Sequence, residues 1–320
     1  MTQRGSMVHR QITQRSIKSP SDVVGIGLHT GRKIRMQILP APADTGITFI
    51  RTDLDGAAIT LGPSSSVPRA RISRADHATT LSGDGFSIST VEHLMAALRG
   101  LGVDNATIRL SGDEVPIMDG SAAPFVFLLK EAGLKDLDVP RKVMVLNRSV
   151  GVLDGDREVT IYPADHFRIT YTIDFNHPAI GRQSLSRSVD ERTFVNEIAP
   201  ARTFCLLKDV HLLRQRGLAM GGSLSNAVVV GDTGPLNALR FPDEFVRHKA
   251  LDLIGDLALL GHPIVGHVVA YKAGHEMNSR LLNQLLDQPD AWVLSAPTPR
   301  PAVAAQALAG AAATAGATAL

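Results

Sequence analysis

The chain has 320 residues, 44% of them hydrophobic and 20% charged, with a formal net charge of +2. This is an ordinary globular composition, long enough for two domains, and its near-neutral charge gives no basis for nucleic acid as a partner. No run approaches the ~20 apolar residues of a membrane span, and a lone cysteine, Cys205, excludes an internal disulfide framework and a cysteine-rich zinc site.

A chain without a disulfide framework suits a reducing cytoplasm, and Cys205 itself, following Thr203-Phe204 in an apolar setting, reads as packing. Residues 1–14 lack an apolar signal core and read as a loose arm. Gly25-Ile-Gly-Leu-His-Thr-Gly31 is a glycine-rich turn, and a strand rather than a helix follows it, so it is a weak phosphate signal. From Lys33 to Leu39 apolar and polar residues alternate, as in a half-buried strand; Pro40 and Pro42 end it, and Gly46–Ile50 begins another.

Ser89–Leu98 reads as a helix closed by Gly100, with Val91, Leu94, Met95 and Leu98 as its stripe and His93 nearly opposite. Ser89 and Glu92 have the spacing of a capping box, which would hold Glu92 at the helix mouth. Asp104–Leu110 alternates as a strand, and Asp119–Phe125 leads into a helix ending near Gly133. Near residue 140 the pattern restarts. Gly31–Pro40 followed by Ile47–Ile50 resembles Gly155–Pro163 followed by Ile169–Thr172, and Val91-Glu-His-Leu parallels Val246-Arg-His-Lys. This weak internal repeat predicts an α+β fold of two domains with similar topology, 15–138 and 139–296, each a mainly antiparallel sheet packed with helices. The helices would face each other across the boundary, bringing His93 to His248.

The second of these helices runs through Phe245–Leu257, with Pro242, Asp243 and Glu244 suited to its first turn and Gly261 to its stop. His248, Asp252 and Asp256 lie four apart, within an arc of roughly 80° at about 3.6 residues per turn. They sit opposite the stripe of Val246, Ala250, Leu253, Ile254, Leu257 and Leu260. On its own this helix also reads as an exposed ion pair, although a cation N-terminal to an anion opposes the helix dipole. A metal site would need a third ligand, which His93 could supply. Arg216–Val230 is glycine-rich and apolar, either the wall of a pocket or a buried loop and strand. Ile264–Lys272 reads as a strand, and a helix follows through Leu286 with His275 at its N-terminus. The Pro/Ala-rich segment 297–320 reads as disordered.

Several strings together resemble one family. They are Gly-Ile-Gly-Leu-His-Thr-Gly (25–31), Thr-Val-Glu-His-Leu (90–94), Ile-Met-Asp-Gly-Ser-Ala-Ala-Pro-Phe (117–125), Asp-Phe-Asn-His-Pro (174–178), Ala-Arg-Thr-Phe (201–204), the Val-Arg-His-Lys-x-x-Asp-x-x-Gly-Asp helix and Tyr-Lys-x-Gly-His (271–275). In this order they are similar to the zinc-dependent UDP-3-O-acyl-N-acetylglucosamine deacetylases of bacterial lipid A synthesis, from about Arg15 to Gln288.

The resemblance implies one Zn2+ per chain, with His93, His248 and Asp252 as ligands and a fourth position left for water. It implies Glu92 as general base, Thr203 as a holder of the oxyanion, and His275 as general acid with Asp256 beside it. His29, Phe175, Lys249 and Lys272 match positions of substrate contact, with Lys249 placed to meet a diphosphate. Leu206, Leu218, Met220 and Val228 would line an apolar passage for the acyl chain. The implied protein is a cytoplasmic monomer, with loose association with the inner membrane face left open. Two other readings stand beside it: a zinc amidohydrolase for a different N-acyl sugar, and a non-catalytic module whose histidines merely pair with acids. Pattern alone stops at a two-domain α+β chain with metal dependence open.

Overall fold

The computed structural model describes residues 12–61, 71–74, 78–83 and 85–296, with the backbone alone at 71–74. The segment 297–320 and most of the expected N-terminal arm lie outside the described residues. The helices are α1 (Glu92–Gly100), α2 (Ala123–Ala132), α3 (Glu191–Thr193), α4 (Leu207–Gln215), α5 (Glu244–Ala258) and α6 (His275–Asp287). Among the described residues, no helix is long and apolar enough to cross a membrane.

The fold is α+β, and its two largest sheets share one five-strand topology. In the first, strand Ala106–Leu110 is central, antiparallel to Lys33–Pro40 and parallel to Ile47–Arg51. Ser21–Ile26 and Ala57–Leu61 complete the two edges. Ile34, Met36 and Ile38 point into the core while Lys33 and Arg35 face water, so the period of two read from sequence is the period of burial. In the second sheet, Ile264–Tyr271 takes the central place, antiparallel to Arg157–Tyr162 and parallel to Phe167–Asp174. Its outer neighbours are Val150–Asp154 and Arg182–Ser188. The repeated segments therefore occupy equivalent strands, and α1 and α5 each precede the central strand of their own sheet.

These two helices pack against each other. The backbones come close at Gly255, where an added Cβ would lie 2.0 Å from the backbone oxygen of Glu92. Only glycine permits that contact, and it draws His93 on α1 toward His248 and Asp252 on α5. Strands Phe167–Asp174 and Arg182–Ser188 and helix α6 close on other sides of α5.

Three expectations about the fold are overturned. Strand Thr13–Ile17 includes Thr13 and Gln14, assigned above to the arm; it pairs with Leu134–Pro140, so the first unit runs just past the expected boundary. The capping box does not form: Ser89 Oγ donates to the Asp113 carbonyl, Thr90 turns to φ +59°, and α1 begins only at Glu92. The polar face of α5 is not the exposed ion pair that the helix on its own could have been, since His248, Asp252 and Asp256 are all buried under neighbouring elements. His93, opposite the apolar stripe of α1, is buried at the same crossing, where the repeat had placed it against His248.

Candidate active site

At the crossing of α1 and α5, ligating atoms of His93, His248 and Asp252 all lie within 4.8 Å of one another. Asp252 Oδ1 is 3.2 Å from His248 Nε2 and 3.5 Å from His93 Nε2. A tetrahedral metal site with bonds of about 2.0–2.1 Å has ligand–ligand edges of roughly 3.3–3.4 Å, so both separations fit. Asp252 Oδ1 is buried without a hydrogen-bond partner among the described residues, a costly state unless a cation meets it. The other oxygen, Oδ2, accepts from Lys249 Nζ at 2.8 Å. His248 Nδ1 donates to the Ala201 carbonyl at 3.1 Å, which fixes the tautomer and leaves Nε2 with its lone pair. Burial holds the His248 pKa down to about 3 despite Asp252, so the ring is neutral and fit to ligate. This donor set fits a metal ion.

Glu92 and His275 stand beside this cluster, with His275 Nε2 3.9 Å from Glu92 Oε1 and 3.7 Å from Asp252 Oδ2. Burial raises the Glu92 pKa, the nearby histidines only partly opposing it. His275 opens α6, where the helix dipole and burial both disfavour a charged ring. Asp256 Oδ2, 2.8 Å from Nδ1, and Asp252 outweigh burial and lift the His275 pKa to about 9. The result is a proton-holding imidazole aimed at the cluster, backed by a carboxylate.

Sequence reasoning missed two residues here. Thr79 is buried; its hydroxyl donates to Asp256 Oδ1 at 2.5 Å and its backbone N–H to Glu92 Oε2 at 3.1 Å, so one residue braces both Glu92 and the carboxylate behind His275. Asn278, one turn into α6, donates to Asp256 Oδ2 at 2.8 Å. Nothing local marks Thr79. The i,i+3 spacing of His275 and Asn278 was the available signal for the other. Arg202 and the fully buried Glu244 form an ion pair at 2.8 Å that ties the Ala201–Thr203 segment to the first turn of α5.

A cavity of about 650 Å³ adjoins this centre; its walls include His29, Thr203, Lys249, Leu206, Leu213 and Val229. Phe175 lines it as well, its ring 5.7 Å from Phe204, which in turn lies 6.3 Å from His248. Not every expected residue lies there. Val228 is fully buried in the core while Val229 faces the cavity, because successive strand residues point to opposite faces. Leu218 and Met220 are outside the lining; Met220 is exposed and sits against Gly31 on the rim. Lys272 is also outside it, its Nζ 2.8 Å from Asp156 and 3.7 Å from Asp174. The ammonium of Lys249, expected to face a diphosphate, is engaged with Asp252.

A cluster that can hold a metal ion beside a buried carboxyl and a carboxylate-backed imidazole, at the seam of two like α+β units, is an arrangement suited to metal-assisted hydrolysis. The profile of the family "LpxC: UDP-3-O-acyl N-acetylglycosamine deacetylase" matches residues 14–287, and the chain belongs to that family. Relatives bearing the name UDP-3-O-acyl-N-acetylglucosamine deacetylase agree. The Myxococcus xanthus protein is 47% identical over 283 residues, covering 87% of this chain and 88% of the relative. That of Geobacter sp. is 46% identical over 291 residues, 90% and 94% of the two chains. The Syntrophotalea carbinolica protein is 48% identical over 285 residues, 88% and 91%.

Proposed function

We propose that this chain hydrolyses the 2-acetamido group of UDP-3-O-(hydroxyacyl)-N-acetylglucosamine to the free amine and acetate, a step of lipid A synthesis, at one zinc ion held by His93, His248 and Asp252. The observation that carries the reading is the unpaired, buried Asp252 Oδ1 facing two histidine nitrogens at metal-edge distances. Zinc bound there supplies a Lewis acid that acidifies water and polarises the amide carbonyl.

The protein's own groups do the remaining work. Glu92, its pKa raised by burial, takes the proton of the attacking water. His275 gives a proton to the departing nitrogen, since an amine leaves poorly until protonated, and Asp256 keeps that proton on the ring. Thr203, in the wall beside Phe204 and Lys249, is suited to donate to the oxygen that gains charge. Lys249 holds Asp252 ionised and in place. His29 and Phe175 border the substrate, and Lys272, outside the cavity, would reach only an extended part of it. The volume and apolar walls of the cavity suit a hydroxyacyl chain. All groups come from one chain, so a monomer suffices, and a cytoplasmic setting accords with a single free cysteine.

The test is metal content and turnover of the purified chain. About one zinc per chain is expected, with hydrolysis of the 3-O-acylated substrate and much weaker hydrolysis of UDP-N-acetylglucosamine. A metal-free chain that stays inactive after zinc is added would end the reading.

A further inference from the structure

The mouth of the cavity is ringed by apolar side chains that nothing among the described residues covers. Helix α4 carries Leu207, Val210, Leu212 and Leu213, yet none of its nine residues is buried. Leu207, Leu212, Leu224 and Leu236 all line the cavity while remaining between 47% and 53% exposed. The loop after α4 is tied to the glycine-rich turn by Met220 N–H to the His29 carbonyl and Gly221 N–H to the Leu28 carbonyl, at 3.2 and 3.0 Å. Met220 and the neighbouring Ile26 thereby extend the exposed ring to the opposite lip. Single exposed leucines are common on protein surfaces; a contiguous set around one opening marks a docking surface.

Charge indicates what docks. Lys208, Arg214 and Arg216 are exposed and make no ion pair among the described residues, against one acid, Asp209, on the same helix. Arg32 and Lys33 stand exposed on the far lip, next to Gly31, which touches Met220. An apolar rim flanked by cations on both sides matches the boundary of an anionic bilayer, with hydrocarbon below and negative headgroups around it. A bilayer would also continue the apolar medium of the cavity, where each methylene left in water weakens binding about fourfold.

We propose that α4 and the glycine-rich turn seat the protein on an anionic lipid surface, so that the substrate's acyl chain enters the cavity from that surface rather than from bulk water. The inference rests on reading the cavity as the acyl-chain site.

The experiment is co-sedimentation of the full zinc-loaded chain, without substrate, with vesicles of phosphatidylglycerol and phosphatidylethanolamine or of phosphatidylcholine alone. Binding to the anionic vesicles is expected, weakened by salt. Each cation contributes about fivefold to partitioning, so Lys208→Gln/Arg214→Gln/Arg216→Gln should lower it about a hundredfold. Lys33→Gln, remote from α4, should lower it about fivefold, which guards against a triple variant that misfolds. Leu212→Ser should weaken binding at every salt concentration. Absence of vesicle binding, or equal binding to both compositions, overturns the proposal. So does a concentration-dependent dimer that Leu212→Ser abolishes, which would make a second copy the occupant. Turnover of a short-chain, water-soluble substrate separates the two readings. If it persists without vesicle binding, the rim falls and the deacetylase stands; if it is absent despite vesicle binding, the deacetylase reading falls and the acyl route with it.

Discussion

Asp256→Asn isolates the charge that keeps a proton on His275. The carboxylate accepts from Thr79 Oγ1 through Oδ1 and from Asn278 Nδ2 through Oδ2, with His275 Nδ1 at 2.8 Å from Oδ2. An asparagine can keep this geometry: its carbonyl faces His275 and Asn278, which both donate, and its amide faces Thr79, whose hydroxyl can turn and accept. Only the charge is lost. Burial already pulls the imidazole below its ordinary ~6.5, and Asp256 is the largest group lifting it to about 9. A buried opposite charge at this distance is worth roughly 1–3 pH units, or about 1.4–4 kcal/mol between the two protonation states. The assay is kcat/KM against pH from 5 to 10, with zinc content measured in parallel. Native protein should give a bell: activity rises as Glu92 ionises and falls as His275 loses its proton. In the variant the falling limb should move to lower pH by roughly 1–3 units, with zinc retained. A limb that stays in place while the whole profile merely drops would refute the account of His275 as the carboxylate-backed acid.

Glu92→Ala should lower kcat by about 10²–10⁴ while metal analysis still finds zinc, since Glu92 is outside the ligating cluster; loss of metal would make Glu92 a ligand. Thr79→Val removes the hydroxyl from Asp256 but keeps the backbone N–H on Glu92, so kcat should fall about tenfold with KM little changed. A rise in KM alone would assign Thr79 to substrate binding instead. Gly255→Ala drives a methyl to within 2.0 Å of the Glu92 carbonyl. It should cost about 1–3 kcal/mol or more in denaturant unfolding and loosen zinc by spreading α1 from α5. Unchanged stability and metal affinity would mean that the helices have slack at their crossing.

Much of this molecule is written in local pattern. The alternation of Ile34, Met36 and Ile38 is the alternation of burial, and the bounds of α5 follow from an acidic first turn and Gly261. The internal repeat appears as two sheets with equivalent central strands. Repeat and helical spacing pointed to His93, His248, Asp252 and Asp256 together; the family resemblance singled out His93, His248 and Asp252, whose ligating atoms the structure brings within reach of one another.

What lay beyond the sequence was the medium on each face. Helical periodicity says that the polar side of α5 differs from its apolar side. It does not say that α1, more than a hundred residues away, covers that polar side and shifts its pKa values through burial. Thr79 reaches Asp256 across 177 positions of sequence, a separation for which no local pattern exists. In a strand as short as Val228–Gly231, three consecutive valines carry no alternation, so only its pairing with neighbouring strands decides that Val229 rather than Val228 faces the cavity. Local sequence fixes which elements form and which side chains share a face, because those follow from backbone geometry within a few residues. Solvation, pairing and charge at the site come from surfaces brought together by packing, and these the tertiary structure alone decides.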